Sequence, residues 1–423
     1  MQFSEKILNL TAKAEEALAP QFAQIERTAF ANTVRVMDAF RTHRVDEAMF
    51  NPTSGYGYND RGREALDSIW ADVMGAEAAI VRHSIVNGTQ ALTIGLFGLL
   101  RPGDILFSIA GKPYDTLDEV IGNAGTPGNG SLRDFGVEYR QADLLADGSF
   151  DREAIARTLS AEGERVKVIF IQRSKGYLNR KTLSVKQIGA LIPFLRAQAP
   201  HSYIVVDNCY GEFTETSEPT AVGADLIIGS LIKNPGGGMA ESGGYLAGSA
   251  RAVELASYRL TSVGCGTEVG ATLGQNKSLF KGLFYAPHTT AQALKTAHLA
   301  AWIFGEGLGF DVEPAWNEVR YDIIQAITTH TPEGLCAICR GIQAGSPVDS
   351  HVTPEPWAMP GYSDPVIMAA GAFTQGSSIE LSADGPLRPP YTAFLQGGLT
   401  YESGKLGIMS AADEVLRSLD RTK

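Results

Sequence analysis

Residues 225–238 read DLIIGSLIKNPGGG. The first half is a short apolar run with the length and composition of a buried strand. Lys233 lies just past it, and Gly236, Gly237 and Gly238 follow at once. Burying an ammonium group is costly and drives its pKa down. A neutral amine on a glycine-flanked hinge is a nucleophile, so Lys233 reads as a lysine that forms a Schiff base with a carbonyl.

Working outward, strands and helices alternate. Ala78–Arg82, Asp104–Ile109, Val166–Gln172 (VKVIFIQ), a run ending at Asp207 (SYIVVD) and a run ending at Gly229 (DLIIG) read as strands. Residues 88–100 read as a helix. Val185, Ile188, Leu191, Ile192 and Leu195 give a second helical stripe. Apolar strands separated by amphipathic helices predict a mainly parallel sheet covered on both faces. The expected fold class is α/β. Residues 1–50 form a helical arm, with Phe30, Val34, Met37 and Phe40 as its apolar stripe. Residues 51–285 form the large sheet domain. Residues 286–423 form a smaller α+β domain, opening with a helix near Thr289–Phe304.

Ligands of open α/β sheets bind beyond the carboxyl ends of the strands. Asp207 ends one predicted strand, and Lys233 follows the next. A nucleophilic lysine and a carboxylate at neighbouring strand ends suit pyridoxal phosphate: the lysine makes the imine and the aspartate keeps the pyridine nitrogen protonated. VNGTQAL (residues 86–92) places Gly88, Thr89 and Gln90 at a strand-to-helix junction, where backbone N–H groups bind anions. Ser230 adds a hydroxyl, and Tyr114 is placed to cover the ring. Each residue also has an ordinary reading: Lys233 as a snorkelling lysine, Asp207 as a turn cap, Gly88 and Thr89 as a plain helix start, Tyr114 as packing.

The 423 residues are 44% hydrophobic and 20% charged, with a formal net charge of −11, which argues against a nucleic-acid or anionic-membrane partner. The N-terminus lacks the shape of a signal peptide, and no uncharged apolar run reaches membrane-spanning length. With four cysteines in so long a chain, the expected location is the reducing cytoplasm. Cys336 and Cys339 spell C-x-x-C without a second pair, so they read as core, and no metal site is expected. The glycine-rich Gly122–Gly130 follows a helix rather than a strand and reads as a mobile surface or lid loop.

GYGYNDRGRE, LRPGD, PYDTLDEVIG, IQRSKGY, VDNCYGEF, GADLIIGSLIKNPGGG, IELSADGPLRPPY and QGGLTYE together resemble the methionine γ-lyase-like family of fold-type-I pyridoxal-phosphate enzymes, also labelled aluminium resistance proteins or cystathionine β-lyase-like. The resemblance spans nearly the whole chain. It implies Lys233 as the cofactor lysine, Asp207 on the ring nitrogen and Tyr114 on the ring face. It implies a homotetramer of two catalytic dimers with shared sites. In the wider group a Tyr-x-Arg from the neighbouring subunit grips the phosphate; here the stretch is Tyr58-Asn-Asp-Arg61, one residue longer. Tyr58 also borders the substrate. The group's carboxylate-binding arginine sits in a pattern like R-L-S, which here reads Glu380-Leu-Ser382. Arg388 is the substitute, with Arg173 second. Three further stretches depart from the narrower family: Asn87-Gly-Thr-Gln90 for S-G-T-H, Lys281-Gly-Leu-Phe284 for Q-G-L-F, and Val263-Gly-Cys-Gly266 for P-G-I-G.

The function this implies is elimination of a β or γ substituent from an L-amino acid. A thiolate is the first choice of leaving group and halide or another stable anion the second, giving a keto acid or an unsaturated amino acid. An aminotransferase shares the lysine and the fold. A cofactor-binding protein without turnover is the third reading.

Overall fold

A computed structural model of the chain describes residues 2–178, 180–359 and 364–421. The chain divides into two compact units, one of Thr33–Leu231 and Met239–Phe284, the other of Met1–Asn32, Ile232–Gly238 and Tyr285–Lys423.

The first unit is built on a seven-stranded sheet. Its strands are β1 (Ala78–Arg82), β2 (Ile105–Ser108), β3 (Glu138–Gln141), β4 (Val166–Gln172), β5 (Tyr203–Asp207), β6 (Leu226–Ser230) and β7 (Gly244–Gly248). They lie in the order β1-β7-β6-β5-β4-β2-β3. β6, β5, β4, β2 and β3 are mutually parallel, and β7 runs antiparallel to both β6 and β1. β6 is buried at every position and β4 at all but one, as strands covered on both faces must be.

Helix α1 (Glu5–Thr42) begins in the other unit and ends in this one, where α2 (Arg61–Met74), α3 (Gly88–Leu99), α4 (Asp115–Ile121), α5 (Arg152–Glu162), α6 (Val185–Gln198) and α7 (Ala250–Leu260) follow. The predicted α6 stripe is buried, and a capping box of Ser184 and Gln187 fixes the helix start. The stripe predicted on α1 is only partly the buried one. Phe40 packs edge-on against Phe280, but Phe30 and Val34 are exposed, and over residues 30–40 the buried positions are Asn32, Val36 and Ala39. Periodicity identifies the helix; which face is covered depends on what packs there. Residues 123–130 lie exposed at the surface, and at their end the Asp134 carboxylate accepts from the amides of Gly128, Gly130 and Ser131.

The second unit carries an antiparallel five-stranded sheet, β10-β11-β12-β9-β8. Its strands are β8 (Asp311–Glu313), β9 (Gln325–Thr328), β10 (Val366–Ala369), β11 (Ser382–Pro386) and β12 (Thr392–Gln396). Helix α8 (Asn276–Ala301) enters it, starting earlier than the sequence suggests because Pro287 lies inside the helix rather than before it. α9 (Pro332–Gly345) and α10 (Tyr401–Arg421) pack closely. A Cβ on Gly341 would stand 2.3 Å from the Ala411 backbone. Cys339 lies in this core, and burial pushes its thiol well above the usual range. Among the described residues no helix is long and apolar enough to cross a membrane.

His298 on α8 is buried, and its Nδ1 donates to the Trp316 carbonyl at 2.7 Å. Burial, with Arg320 nearby, pushes its pKa down to about 3. The unfolded chain therefore binds one more proton than the folded one between about pH 6.5 and 3, and stability falls as pH drops through that window. His298→Gln should flatten the loss of stability below pH 6.5 by up to ~1.4 kcal/mol per pH unit, read from unfolding at several pH values. An unchanged slope would mean that His298 is protonated in the folded chain.

Candidate active site

The carboxyl edge of the seven-stranded sheet gathers most of the residues singled out from the sequence. Asn87 caps α3 in an extended conformation, and its Oδ1 accepts from the Gln90 amide at 2.8 Å. Gln90 answers by accepting the Val86 amide on its Oε1 at 2.6 Å. These two departures from the family pattern thus form a reciprocal clamp on the helix start. The amides of Gly88 and Thr89 open the helix, where no intrahelical acceptor exists for them. A Cβ on Gly88 would stand 3.3 Å from Ser230 Cβ and 3.6 Å from Cys209 Sγ, so glycine keeps the space open. Ser230 is 1% exposed, and its hydroxyl has no hydrogen-bond partner among the described residues. A buried hydroxyl left unmatched beside a helix N-terminus fits a phosphate-sized anion.

Asp207 ends β5 beside Gln172 on β4 and Ile228 on β6. It is 4% exposed, and its Oδ1 accepts from the Cys209 amide at 3.1 Å. The Asp207–Cys209 segment thereby joins the carboxylate to the Gly88 cradle. Tyr114 stands at the start of α4, with its hydroxyl 2.9 Å from Thr89 Oγ1 and its amide donating to Gln172 Oε1 at 2.8 Å.

Lys233 belongs to the other unit and is half-buried. It caps a short turn, Asn234–Gly236, and the glycines after it are not a floppy hinge. Gly237 and Gly238 have φ of 57° and 74°, the Gly237 carbonyl accepts from Thr289 Oγ1, and a Cβ on Gly238 would stand 2.4 Å from Leu399. These glycines serve a left-handed backbone and a close approach.

The predicted arginines have different settings. Arg173 is fully buried. Its guanidinium donates to the carbonyls of Leu183 and Gly211, to Asn208 Oδ1 at 2.8 Å, to Thr214 Oγ1 and to Glu215 Oε2 at 2.6 Å. Burial pushes the Glu215 carboxyl up against the pull of Arg173. Arg388 is half-exposed and pairs with Asp364 at 3.2 Å. Arg61 is exposed and pairs with Asp46 at 3.0 Å, and Tyr58 is an exposed ring stacked on Tyr56. Glu380 is buried and accepts from the amides of Phe373 and Thr374, which makes it a loop anchor. Lys281 is exposed on α8.

Sequence reasoning missed Arg63 and Gln172. Arg63 is 1% exposed and donates to the carbonyls of Gly57, Gly270 and Glu268, holding the Tyr58 loop in place. Its clue was the second arginine of GYGYNDRGRE. For Gln172 the sequence carries no signal beyond a polar residue ending an apolar strand.

A large, mainly parallel sheet with a smaller antiparallel sheet in the other unit is the α/β architecture of the fold-type-I pyridoxal-phosphate enzymes. The methionine gamma-lyase family model matches residues 7–416, and the chain belongs to that family. It is 50% identical over 413 residues to the Bacillus subtilis protein YnbB, covering 97% of each chain. A solved carbon-sulfur lyase involved in aluminum resistance from Clostridium novyi superposes with a TM-score of 0.93 at 46% identity, covering 100% of this chain and 97% of that one. The pyridoxal-5'-phosphate dependent protein YhfS from Escherichia coli shares the fold at 16% identity, with a TM-score of 0.61 and coverage of 95% and 97%.

The clamp on α3 makes a direct prediction. Asn87→Ala removes the cap and should cost about 1 kcal/mol in local opening of the first helical turn, whereas Asn87→Ser should cost only a few tenths. Hydrogen exchange of α3 measures both. Equal protection in all three proteins would show that the cap contributes nothing.

Proposed function

We propose that this protein is a pyridoxal-phosphate-dependent lyase that eliminates a β or γ substituent, a thiolate first of all, from an L-amino acid. The observation that carries the reading is the buried, unmatched Ser230 hydroxyl beside Gly88 at the start of α3, with Asp207 ending the strand next to Ser230's own. Family membership supports the same reaction class.

In this reading the Gly88 and Thr89 amides and Ser230 hold the phosphate, with Asn87 and Gln90 fixing the helix start that presents those amides. Asp207 holds the proton on the ring nitrogen, and Tyr114 covers one face of the ring. Pyridoxal phosphate, when bound, supplies an electron sink for the charge left at the substrate α-carbon. Lys233 would hold the cofactor and, with its amine free, would be the base that takes the substrate α-proton. For γ loss, Lys233 or a water also moves a β-proton. Arg388 is the first candidate for the substrate carboxylate. Its partner Asp364 is half-exposed and displaceable, whereas Arg173 is occupied on every side by groups that hold the 208–218 loop. Tyr58 and Arg61, exposed on their loop, are assigned to the neighbouring subunit's site in a homotetramer with shared sites. A cytoplasmic location completes the reading.

Two measurements test it. Borohydride reduction of the purified protein followed by peptide mapping should tag Lys233, and Asp207→Asn should keep the cofactor while turnover falls at least ~100-fold, the scale of losing one electrostatic stabiliser. A tag elsewhere, or near-normal turnover in Asp207→Asn, removes the corresponding assignment. A panel of β- and γ-substituted amino acids should release ammonia, keto acid and thiol in equal amounts. Keto acid formed without ammonia, with the cofactor left as pyridoxamine phosphate, would make the protein an aminotransferase instead.

A further inference from the structure

The Tyr114 carbonyl accepts from the Leu117 and Asp118 amides at the start of α4, while its amide and hydroxyl meet groups from elsewhere in the chain. Pro113 precedes it and donates no amide, α4 is only seven residues long, and Tyr114 caps that helix without a side-chain hydrogen bond to the helix backbone. Among its contacts are two bonds from distant parts of the chain. One is Thr89 Oγ1 at its hydroxyl, 2.9 Å away. The other is Gln172 Oε1, which accepts its backbone amide at 2.8 Å across a separation of 58 residues.

Gln172 is itself firmly held. It is 5% exposed and ends β4 in register with Asp207. Its Nε2 donates to the Ser174 carbonyl at 3.0 Å, and its own carbonyl accepts from Arg180 Nη2 at 2.7 Å, with the same nitrogen 2.8 Å from the Ser174 carbonyl. The side-chain amide is therefore oriented: its nitrogen is committed to Ser174, so its oxygen faces Tyr114. One residue thus ties the helix start that carries Tyr114 to the strand end that lies against Asp207.

We infer that Gln172 is a positioning residue that sets the place of the Tyr114 ring relative to Asp207 through its bond to the Tyr114 amide. The inference rests on the reading that Tyr114 covers the cofactor ring, and it assigns the specificity of that placement to a residue on the sheet. An acceptor at position 172 is the requirement. Methionine has nearly the shape of glutamine and lacks it.

The test combines hydrogen exchange in the cofactor-free chain with a double-mutant cycle on cofactor affinity. Gln172→Met should speed exchange of the Tyr114 amide at least ~10-fold, because that amide loses its acceptor. In titrations of the apoprotein with pyridoxal phosphate, Gln172→Met should weaken binding ~10-fold, the scale of one hydrogen bond. In a Tyr114→Ala background the same change should cost less than ~2-fold, because the ring it places is gone. Unchanged exchange at Tyr114 overturns the inference. Equal losses of affinity in both backgrounds also overturn it, since Gln172 would then act otherwise than through Tyr114. If no variant and no wild-type protein binds pyridoxal phosphate, the proposed function fails, and the exchange arm still decides whether Gln172 places Tyr114.

Discussion

The parallel register of β4 and β5 is the constraint on which the site depends. It sets Gln172 beside Asp207 at the carboxyl edge, and from that pair the remaining parts are reached in short steps. Asp207 leads through the Cys209 amide to the Gly88 cradle, and Gln172 leads through Tyr114 to Thr89 on the same helix. A register slip of one residue would turn both side chains to the opposite face of the sheet. Full burial of the apolar residues before them makes such a slip costly, so the hydrophobic core fixes the chemistry's geometry.

Behind Asp207 the chain buries unusual charge. Arg173 is enclosed by Asn208, Glu215, Glu218 and backbone carbonyls, and Asn208 donates onward to Glu218. Gly211 is required here, since a Cβ on it would stand 2.4 Å from the guanidinium. A buried ion pair of this kind is weak evidence for stability, because desolvation offsets much of the attraction. Its use is geometric. Four directed bonds from Arg173 reach the loop after Asp207, and that loop includes left-handed residues at Tyr210 and Phe213. A surface lysine in place of Arg173 could not supply that fork.

Substitutions that read as changes of chemistry in the sequence prove to have local structural settings. Asn87 and Gln90 satisfy each other's end of a helix, and Glu380 anchors two backbone amides where the wider group places an arginine. A residue at a site position can be fixed by the backbone groups it satisfies as much as by the ligand it meets. The exposed settings of Tyr58, Arg61 and Arg388 stand in contrast. Tyr58 stacks on Tyr56, Arg61 pairs with Asp46 and Arg388 with Asp364.

The sequence by itself determined the layer architecture and the strand ends. Runs such as VKVIFIQ and DLIIGS are too uniformly apolar for a half-exposed sheet, and Asp207 and Ser230 are polar residues that terminate such runs. It also located the helix start at Asn87–Gln90, because glycine and cap residues at a strand-to-helix junction have few other uses. Tertiary structure alone decided which partner each polar side chain takes. Arg173 and Arg388 look equally available in one dimension, yet one is enclosed by a loop tens of residues away and the other pairs near the surface. Gln172 gave no signal, since its role exists only once α4 is brought to the end of β4. The buried face of α1 was likewise undecided by periodicity. Local preferences are set by neighbours along the chain, whereas partners are set by register and packing between segments that the sequence keeps far apart.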